Sequence, residues 1–207
     1  MTEDELLEAI EDIESLDSST EDFAASIADS VESFLIALRA VSREEEAGAA
    51  ISLLLLEISQ VLLAGARLGA QVDFEPRSEY QPDVGPESDL DEMRLRLATM
   101  LDNLDTYSYV FDPYVPEVVE SLLSDDITAI ASDLENGLRH HRSGDVDEAL
   151  WWWQFSYIAS WGNLAGVALN ALLSVVSHNR LDSDFTLDVE DVAAADEMLE
   201  GTDAPPS

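Results

Sequence analysis

Apolar residues recur at steps of three and four over most of this 207-residue chain. The clearest run, from residue 23 to residue 41, consists of Phe23, Ile27, Val31, Phe34, Leu38 and Val41. This spacing matches the turn of an α-helix, so the segment predicts a helix with one buried face. The alternation that marks a half-buried strand is nearly absent. The sequence therefore predicts an all-α fold, a single-domain helical bundle of five to seven helices with a long Pro-containing loop.

The other predicted helices follow from the same spacing and from their capping residues. A weakly amphipathic helix over 2–16 precedes the first run, and residues 18–20 offer a cap between the two. The segment 49–70 is apolar around nearly its whole circumference, which predicts the central, most buried helix. Glu57 inside it needs a partner from another helix. Further helices are expected from Ser88, from Ser124 with the two acids that follow it, and from about 146 to 179.

Two proline-containing segments separate these helices. The long connection 71–88 holds three prolines and a glycine, and 107–117 holds two prolines among four aromatic residues. Proline excludes regular helix, so we expect an irregular path over 107–117, packed down by its aromatic side chains. The predicted organisation is an acidic N-terminal helix or tail (1–18), a helical bundle domain (19–180) and a peripheral acidic C-terminal segment and tail (181–207).

The charge balance excludes several classes of partner. Nine basic residues, all of them Arg, stand against 45 acidic residues, for a net charge of −36. Such a surface repels nucleic acid, whose phosphates need clustered cations, and it repels anionic membranes. Two interpretations of the acidity remain: solubility in a high-GC or salt-adapted source, and a docking surface for a basic partner. The acids are spread along the whole chain, which favours the first.

Self-repulsion among these charges leads to a prediction about salt. We expect the melting temperature to rise as sodium chloride goes from near zero to molar concentration, because the Debye length shrinks to about 8 Å at 0.15 M. A thermal melt monitored by circular dichroism measures this directly. A flat response would show that the acids are well dispersed and that salt adaptation does not explain them.

The chain contains no cysteine, which excludes disulfides, thiolate zinc sites and cysteine nucleophiles. Its first residues are acidic and lack the features of a signal peptide, so a cytoplasmic location is predicted. Residues 150–179 carry no formal charge, which also suits a membrane span. Gln154, Asn163 and Asn170 would be costly in lipid, and burial among other helices is therefore the favoured interpretation.

Four tryptophans lie within residues 151–161, on the predicted last helix. On an ideal helical wheel Trp151 begins one apolar stripe with Phe155 and Ile158, and Trp153 begins a second with Tyr157 and Trp161. We therefore expect Trp151 and Trp153 to be mostly buried and Trp152 to be the most exposed of the three. Between the apolar stripes runs a third of small and polar residues: Trp152, Ser156, Ala159, Asn163, Gly166, Asn170 and Ser174. This stripe suits either close packing of a neighbouring helix, the favoured reading, or one wall of a groove.

Three blocks of the sequence resemble a bacterial family known as domain of unknown function 5063. They are YSYVFDPY (107–114), SDDITAIASDLENGL (124–138) and DEALWWWQFSYIASWG (147–162). The similarity covers roughly residues 20–180. It implies a helical, soluble domain and implies no activity. In the family a polar residue, often His, precedes the later tryptophan of the third block, the one followed by glycine. In this chain that residue is Ser160.

Motifs for catalysis are mostly missing. There is no Gly-rich phosphate loop and no nucleophile elbow, and the three histidines lack ligand spacing. Asp126 and Asp133 share a helix face and are weak candidates for a metal site, with capping and solvation as the simpler explanation. Residues 134–157 resemble one tetratricopeptide-type hairpin without a second copy.

The leading hypothesis is thus a non-enzymatic protein-interaction or assembly module that requires no cofactor and binds a protein partner or itself. The alternative is a small-molecule or metal-dependent enzyme. In either case the candidate pocket or interaction surface comprises Tyr107, Tyr109, Asp112, Asp126, Asp133, Trp152 and Asn163.

Overall fold

The computed structural model describes the backbone of residues 3–44, 47–76, 84–86, 88–112 and 114–200, with most side chains between 19 and 181. This part of the chain forms six α-helices and one β-hairpin, with a 3-10 turn after α3 and a π-helical turn after α5. In chain order the elements are α1 (Glu3–Val41), α2 (Ala47–Gly69), α3 (Asp91–Leu101), the 3-10 turn (Asp102–Leu104), β1 (Thr106–Asp112), β2 (Val115–Leu122), α4 (Leu123–Arg142), α5 (Val146–Ser156), the π turn (Tyr157–Trp161) and α6 (Gly162–Glu200).

The core lies where α1, α2, α4, α5 and α6 meet. α4 packs against α5, α2 against α6, and α1 against both α2 and α4. The predicted stripe of α1 faces this core: Phe23 is half-buried, and Ile27, Val31, Phe34, Leu38 and Val41 are buried. The predicted helical bundle is confirmed.

Two predicted helix ends are wrong. α1 continues through residues 18–20, where a cap was expected, and α6 continues past 179 to Glu200. Serine and threonine favour a cap but also occur within helices, so they end a helix only where the chain leaves helical geometry. The division into tail, domain and C-terminal segment stays a prediction, and residues 201–207 lie outside the described part of the chain.

α2 is not the most buried helix. One face, with Leu54, Ile58 and Leu68, is buried, whereas Leu53, Leu56 and Leu63 are 43%, 52% and 66% exposed. Burial depends on how many neighbours a helix has, and α2 packs mainly on α1 and α6, which leaves one side uncovered. Glu57 lies half-buried at the edge of that side, and desolvation raises the pKa of its carboxyl. No ion pair reaches Glu57 among the described side chains.

Two stretches, Gly48–Gly69 and Val146–Leu181, have the length and apolar composition to cross a membrane, with mean hydropathy 1.9 and 1.4. Core helices of soluble proteins share these properties, so the observation is weak evidence for a membrane span.

The segment predicted to follow an irregular path forms an antiparallel hairpin. β1 pairs with β2 from Thr106 opposite Leu122 to Asp112 opposite Val115, with a register shift between Val110 and Asp112. Pro116 is compatible with this pairing because β2 is an edge strand, where a missing backbone donor costs little. The two prolines predicted an irregular path, although the aromatic and β-branched residues around them favour strands.

The π turn changes the face that the last helices bury. Before it, Ala149, Leu150 and Trp153 are buried, and after it the buried residues are Trp161, Ala165, Ala168 and Leu172. A π turn inserts about one extra residue and so rotates the buried face by roughly 100°. The straight helical wheel fails at this point. Before the turn, Trp153 is buried as predicted, but Trp151 is only half-buried and Phe155 is 53% exposed, a departure that the π turn does not cause. Within the turn, Ile158 is 65% exposed.

Candidate functional site

The hairpin is anchored to the bundle at its open end by Asp105. This buried carboxylate accepts hydrogen bonds from the Ser124 backbone N–H (2.7 Å) and the Ser124 hydroxyl (2.8 Å). The Asp105 carbonyl also accepts a bond from the Leu123 N–H (2.8 Å). Asp105 therefore satisfies the N-terminus of α4 from 19 residues away, whereas the sequence indicated Ser124 as the cap. A cap that is distant in sequence leaves no local signal.

Asp126, in the first turn of α4, ties both strands to that helix. Its buried carboxylate accepts hydrogen bonds from the Tyr107 hydroxyl on β1 (2.5 Å) and the Ser121 hydroxyl on β2 (3.0 Å). Desolvation, followed by the bond and the charge of Asp126, raises the pKa of the Tyr107 hydroxyl. Tyr109 stacks on Tyr107 at 5.5 Å, and desolvation together with the Asp126 charge raises its pKa as well.

Replacement of Tyr107 by phenylalanine tests this anchor. We expect the free energy of unfolding to fall by about 1–2 kcal/mol at neutral pH. This is the low end for a hydrogen bond to a charged acceptor, because the ring is partly exposed to solvent. The raised pKa adds a pH dependence. Stability from the neutral phenol is fully present below about pH 10 and is lost as pH rises above it, since the unfolded phenol ionises first.

Urea unfolding at pH 7 and in steps from pH 9 to 11 measures both effects. The alkaline loss of unfolding free energy should be smaller in Tyr107→Phe than in the wild type, and Tyr114→Phe, at a 94% exposed tyrosine of the same hairpin, is the matched control. Equal alkaline slopes in the wild type and Tyr107→Phe would contradict the assignment.

A groove of about 540 Å³ runs between β1 and α6. One wall is formed by residues 106–110 of β1, and the other includes Gly166, Asn170 and Ser174 of α6. None of its fourteen lining residues carries a charge, in a chain of net charge −36. The lining is Asn103, Leu104, Thr106, Tyr107, Ser108, Tyr109, Val110, Leu123, Gly166, Val167, Asn170, Ala171, Ser174 and Val175.

The small polar stripe predicted on the last helix is divided by the π turn. Its C-terminal half, Gly166, Asn170 and Ser174, lines the groove, so this half is not covered by a closely packed helix. In its N-terminal half Ser156 is buried and Trp152 is half-buried. Asn163 is exposed and is not among the groove residues. The sequence left two uses open for the stripe, close helix packing or the wall of a groove. The C-terminal half forms the wall of a groove.

Asp133 and Trp152 meet in a second, separate cluster. The Trp152 indole N–H donates to the Asp133 carbonyl at 3.0 Å. Burial raises the pKa of the Asp133 carboxyl, and a hydrogen bond with Ser160 partly opposes that shift. Asp133 and Asp126 are therefore held by different partners although they share a helix.

Asp112 lies at the far end of the hairpin, where its carboxylate accepts a hydrogen bond from the Tyr114 N–H at 2.8 Å. It lies five positions along the strand from Tyr107, or roughly 16 Å, which exceeds the diameter of a helix. The structure thus brings together Tyr107, Tyr109 and Asp126 and separates them from Asp112. Among the described residues no group of three His, Cys, Asp or Glu side chains could hold a metal ion. The functional role of the seven candidate residues stays a prediction.

The described part of the chain is a helical bundle with one β-hairpin and an uncharged groove. Comparison with known proteins identifies its family. Residues 18–178 match the model of the domain of unknown function DUF5063, and the chain belongs to that family. Among solved structures it is similar to the crystal structure of protein BF1032 from Bacteroides fragilis. The TM-score is 0.59 at 16% identity, covering 72% of this chain and 89% of the other, which shows a shared fold. No curated protein is significantly similar in sequence.

Proposed function

We propose that this domain is a non-enzymatic protein-interaction module that binds an extended segment of a partner along the free edge of β1. The observation that carries the proposal is the run of five consecutive β1 residues, 106–110, in the groove lining. Side chains of a strand alternate between its two faces, so a groove that contacts all five follows the edge of the strand. Backbone N–H and C=O groups on that edge are available for pairing with an added strand.

The two edges of the hairpin differ in chemistry. The β2 edge carries Pro116, Glu117 and Glu120, the residue types that discourage a further strand from pairing. β1 has neither proline nor charge between Thr106 and Val110. Pairing is thus obstructed on one edge and left open on the edge that faces the groove.

The opposite wall can accept side chains from an added strand. Gly166 has no heavy atom within 4 Å of the position that a Cβ would occupy, so space remains above it. Asn170 and Ser174 add hydrogen-bonding groups beside this space. An uncharged lining favours a neutral segment, since no ionic partner is offered. The acidic surface disfavours nucleic acid and anionic membranes as partners, and the proposal is a protein partner in the cytoplasm.

The enzyme alternative would need the candidate carboxylates and tyrosines to converge on one open site. Asp126 instead has both oxygens engaged in holding the hairpin, and Asp112 shapes the turn. These contacts support an anchoring role, which is why we favour the interaction module.

A panel of extended peptides selected from a random nonamer display library tests the proposal. Gly166→Phe fills the groove, and Gly48→Phe is the matched control because Gly48 is also helical with nothing within 4 Å of its added Cβ. We expect both variants to keep the wild-type melting temperature. Affinity for the selected peptides should fall at least about tenfold in Gly166→Phe only.

Backbone pairing is tested separately with N-methylated versions of the best peptide. Methylation at alternate positions removes ladder donors, so one of the two methylation patterns should abolish binding while the other is tolerated. Chemical-shift changes should centre on the amides of 106–110. Peptides that bind Gly166→Phe as tightly as the wild type would refute the site.

A further inference from the structure

A second cavity, of about 330 Å³, lies on the outer side of α5 and differs from the groove in its charge. Its lining includes Phe74, Trp151, Phe155 and Ile158 together with one carboxylate, that of Asp73. Asp73 is exposed, as are Phe155 and Ile158, so both the charge and the aromatic surface are in contact with solvent. This combination of aromatic faces and a single carboxylate is absent from the β1–α6 groove.

Gln154 builds the cavity by holding the chain after α2 against α5. Its side-chain amide accepts a hydrogen bond from the Phe74 N–H (2.8 Å) and donates to the carbonyls of Leu68 (3.0 Å) and Val72 (3.3 Å). Gln154 is buried, which makes these bonds resistant to competition from water. The backbone on both sides of Asp73 is thereby held in place, which keeps Phe74 and Asp73 beside α5.

The aromatic rings present faces suited to a planar cation. Trp151 and Phe155 stack with an interplanar angle of 10° and centroids 5.2 Å apart, and Phe155 is exposed. Phe74 stacks on Phe23 at 6.3 Å, and the guanidinium of Arg67 lies 5.3 Å from the centroid of Phe23. Phe23 lies outside the cavity lining, and there, next to Phe74, it already holds one arginine of this chain by a cation–π contact.

We propose that this cavity binds an arginine side chain presented by a basic segment of a partner protein. A guanidinium can stack on an aromatic face while its N–H groups reach the Asp73 carboxylate, a geometry that a compact ammonium reproduces less well. The field of a chain with net charge −36 attracts such a segment, and the local carboxylate confers its specificity. The site is separate from the β1–α6 groove and does not depend on strand addition there.

The probe is a Gly/Ser heptapeptide with one central arginine, compared with the same peptide carrying citrulline, which has nearly the same shape without the charge. Two-dimensional NMR titration follows the Trp151 indole and Phe74 amide signals. We expect both to shift with the arginine peptide, citrulline to bind about three- to tenfold more weakly, and the affinity for arginine to fall as salt is raised.

Matched variants separate the cavity from the general field. Asp73→Asn and Phe155→Ala should each weaken arginine binding about three- to tenfold. Asp29→Asn, an equal change of charge on α1, and Leu63→Ala, an exposed apolar residue on α2, should leave it unchanged. Gly166→Phe, which fills the β1–α6 groove, should bind the arginine peptide as the wild type does. The two proposals can therefore be refuted independently.

Three results would overturn the proposal. Equal binding of the citrulline peptide would show an apolar cavity without cation recognition. Equal effects of Asp73→Asn and Asp29→Asn would assign the attraction to the diffuse field. Absence of shifts at the two signals would show that the cavity binds no arginine.

Discussion

Replacement of Trp153 by alanine should lower the free energy of unfolding by about 3–5 kcal/mol, the usual cost of removing a large buried aromatic side chain. Trp153 is fully buried, and its indole N–H donates to the Leu134 carbonyl at 2.9 Å. Gly137 on α4 lies so close that a Cβ there would collide with the indole. Truncation leaves a cavity that the α4–α5 contact cannot easily close, and it leaves the Leu134 carbonyl without that donor.

The matched control for this experiment is Trp151→Ala, two positions away on the same helix. Trp151 is only half-buried and stacks on an exposed Phe155, so its removal should cost clearly less than that of Trp153. Chemical denaturation of the three proteins gives the comparison. A larger loss for Trp151→Ala would contradict the burial of this helix as the structure shows it.

Replacement of Asp105 by alanine should lower the free energy of unfolding by about 2–4 kcal/mol. The change removes a helix cap and leaves two buried donors of Ser124 without their acceptor. The loss should extend beyond α4. Asp105 also precedes β1 directly, so we expect the hairpin to detach and the β1–α6 groove to lose its strand wall. Denaturant unfolding and amide exchange of residues 106–110 measure the two consequences.

Two further variants test the role of the carboxylate. Asp105→Asn keeps one acceptor oxygen and should cost less than alanine, and Ser124→Ala removes only the hydroxyl contact. We therefore expect the losses to rise from Ser124→Ala to Asp105→Ala. A wild-type exchange rate at 106–110 in Asp105→Ala would show that the hairpin does not depend on this anchor.

Helix α1 and helix α2 show what sequence periodicity can predict. The stripe from Ile27 to Val41 was predicted and is buried, because a helix with a single apolar face is stabilised only when that face packs against the core. α2 is apolar on nearly all sides, and its pattern could not show which side stays uncovered. Leu53, Leu56 and Leu63 are exposed because no described helix packs there.

The candidate site was only partly accessible from the sequence. Tyr107 and Tyr109 were selected from their aromatic block, but their groove needs α6, about sixty residues further along the chain. Asp105 was missed because its partner, Ser124, is 19 residues away. The arginine cavity was missed because it depends on Gln154 holding a loop about 80 residues earlier in the chain.

The sequence by itself determined the helical class, the family and the strongly acidic composition, since these depend on local spacing, on motifs and on residue counts. Tertiary structure alone decided the rest. The π turn moves the buried face of the last helices to Ala165, Ala168 and Leu172. The carboxylates of Asp105 and Asp126 accept hydrogen bonds that hold a proline-containing strand pair against α4. The physical reason is that burial and pairing arise from contacts between segments distant in sequence, whose energies no local pattern contains.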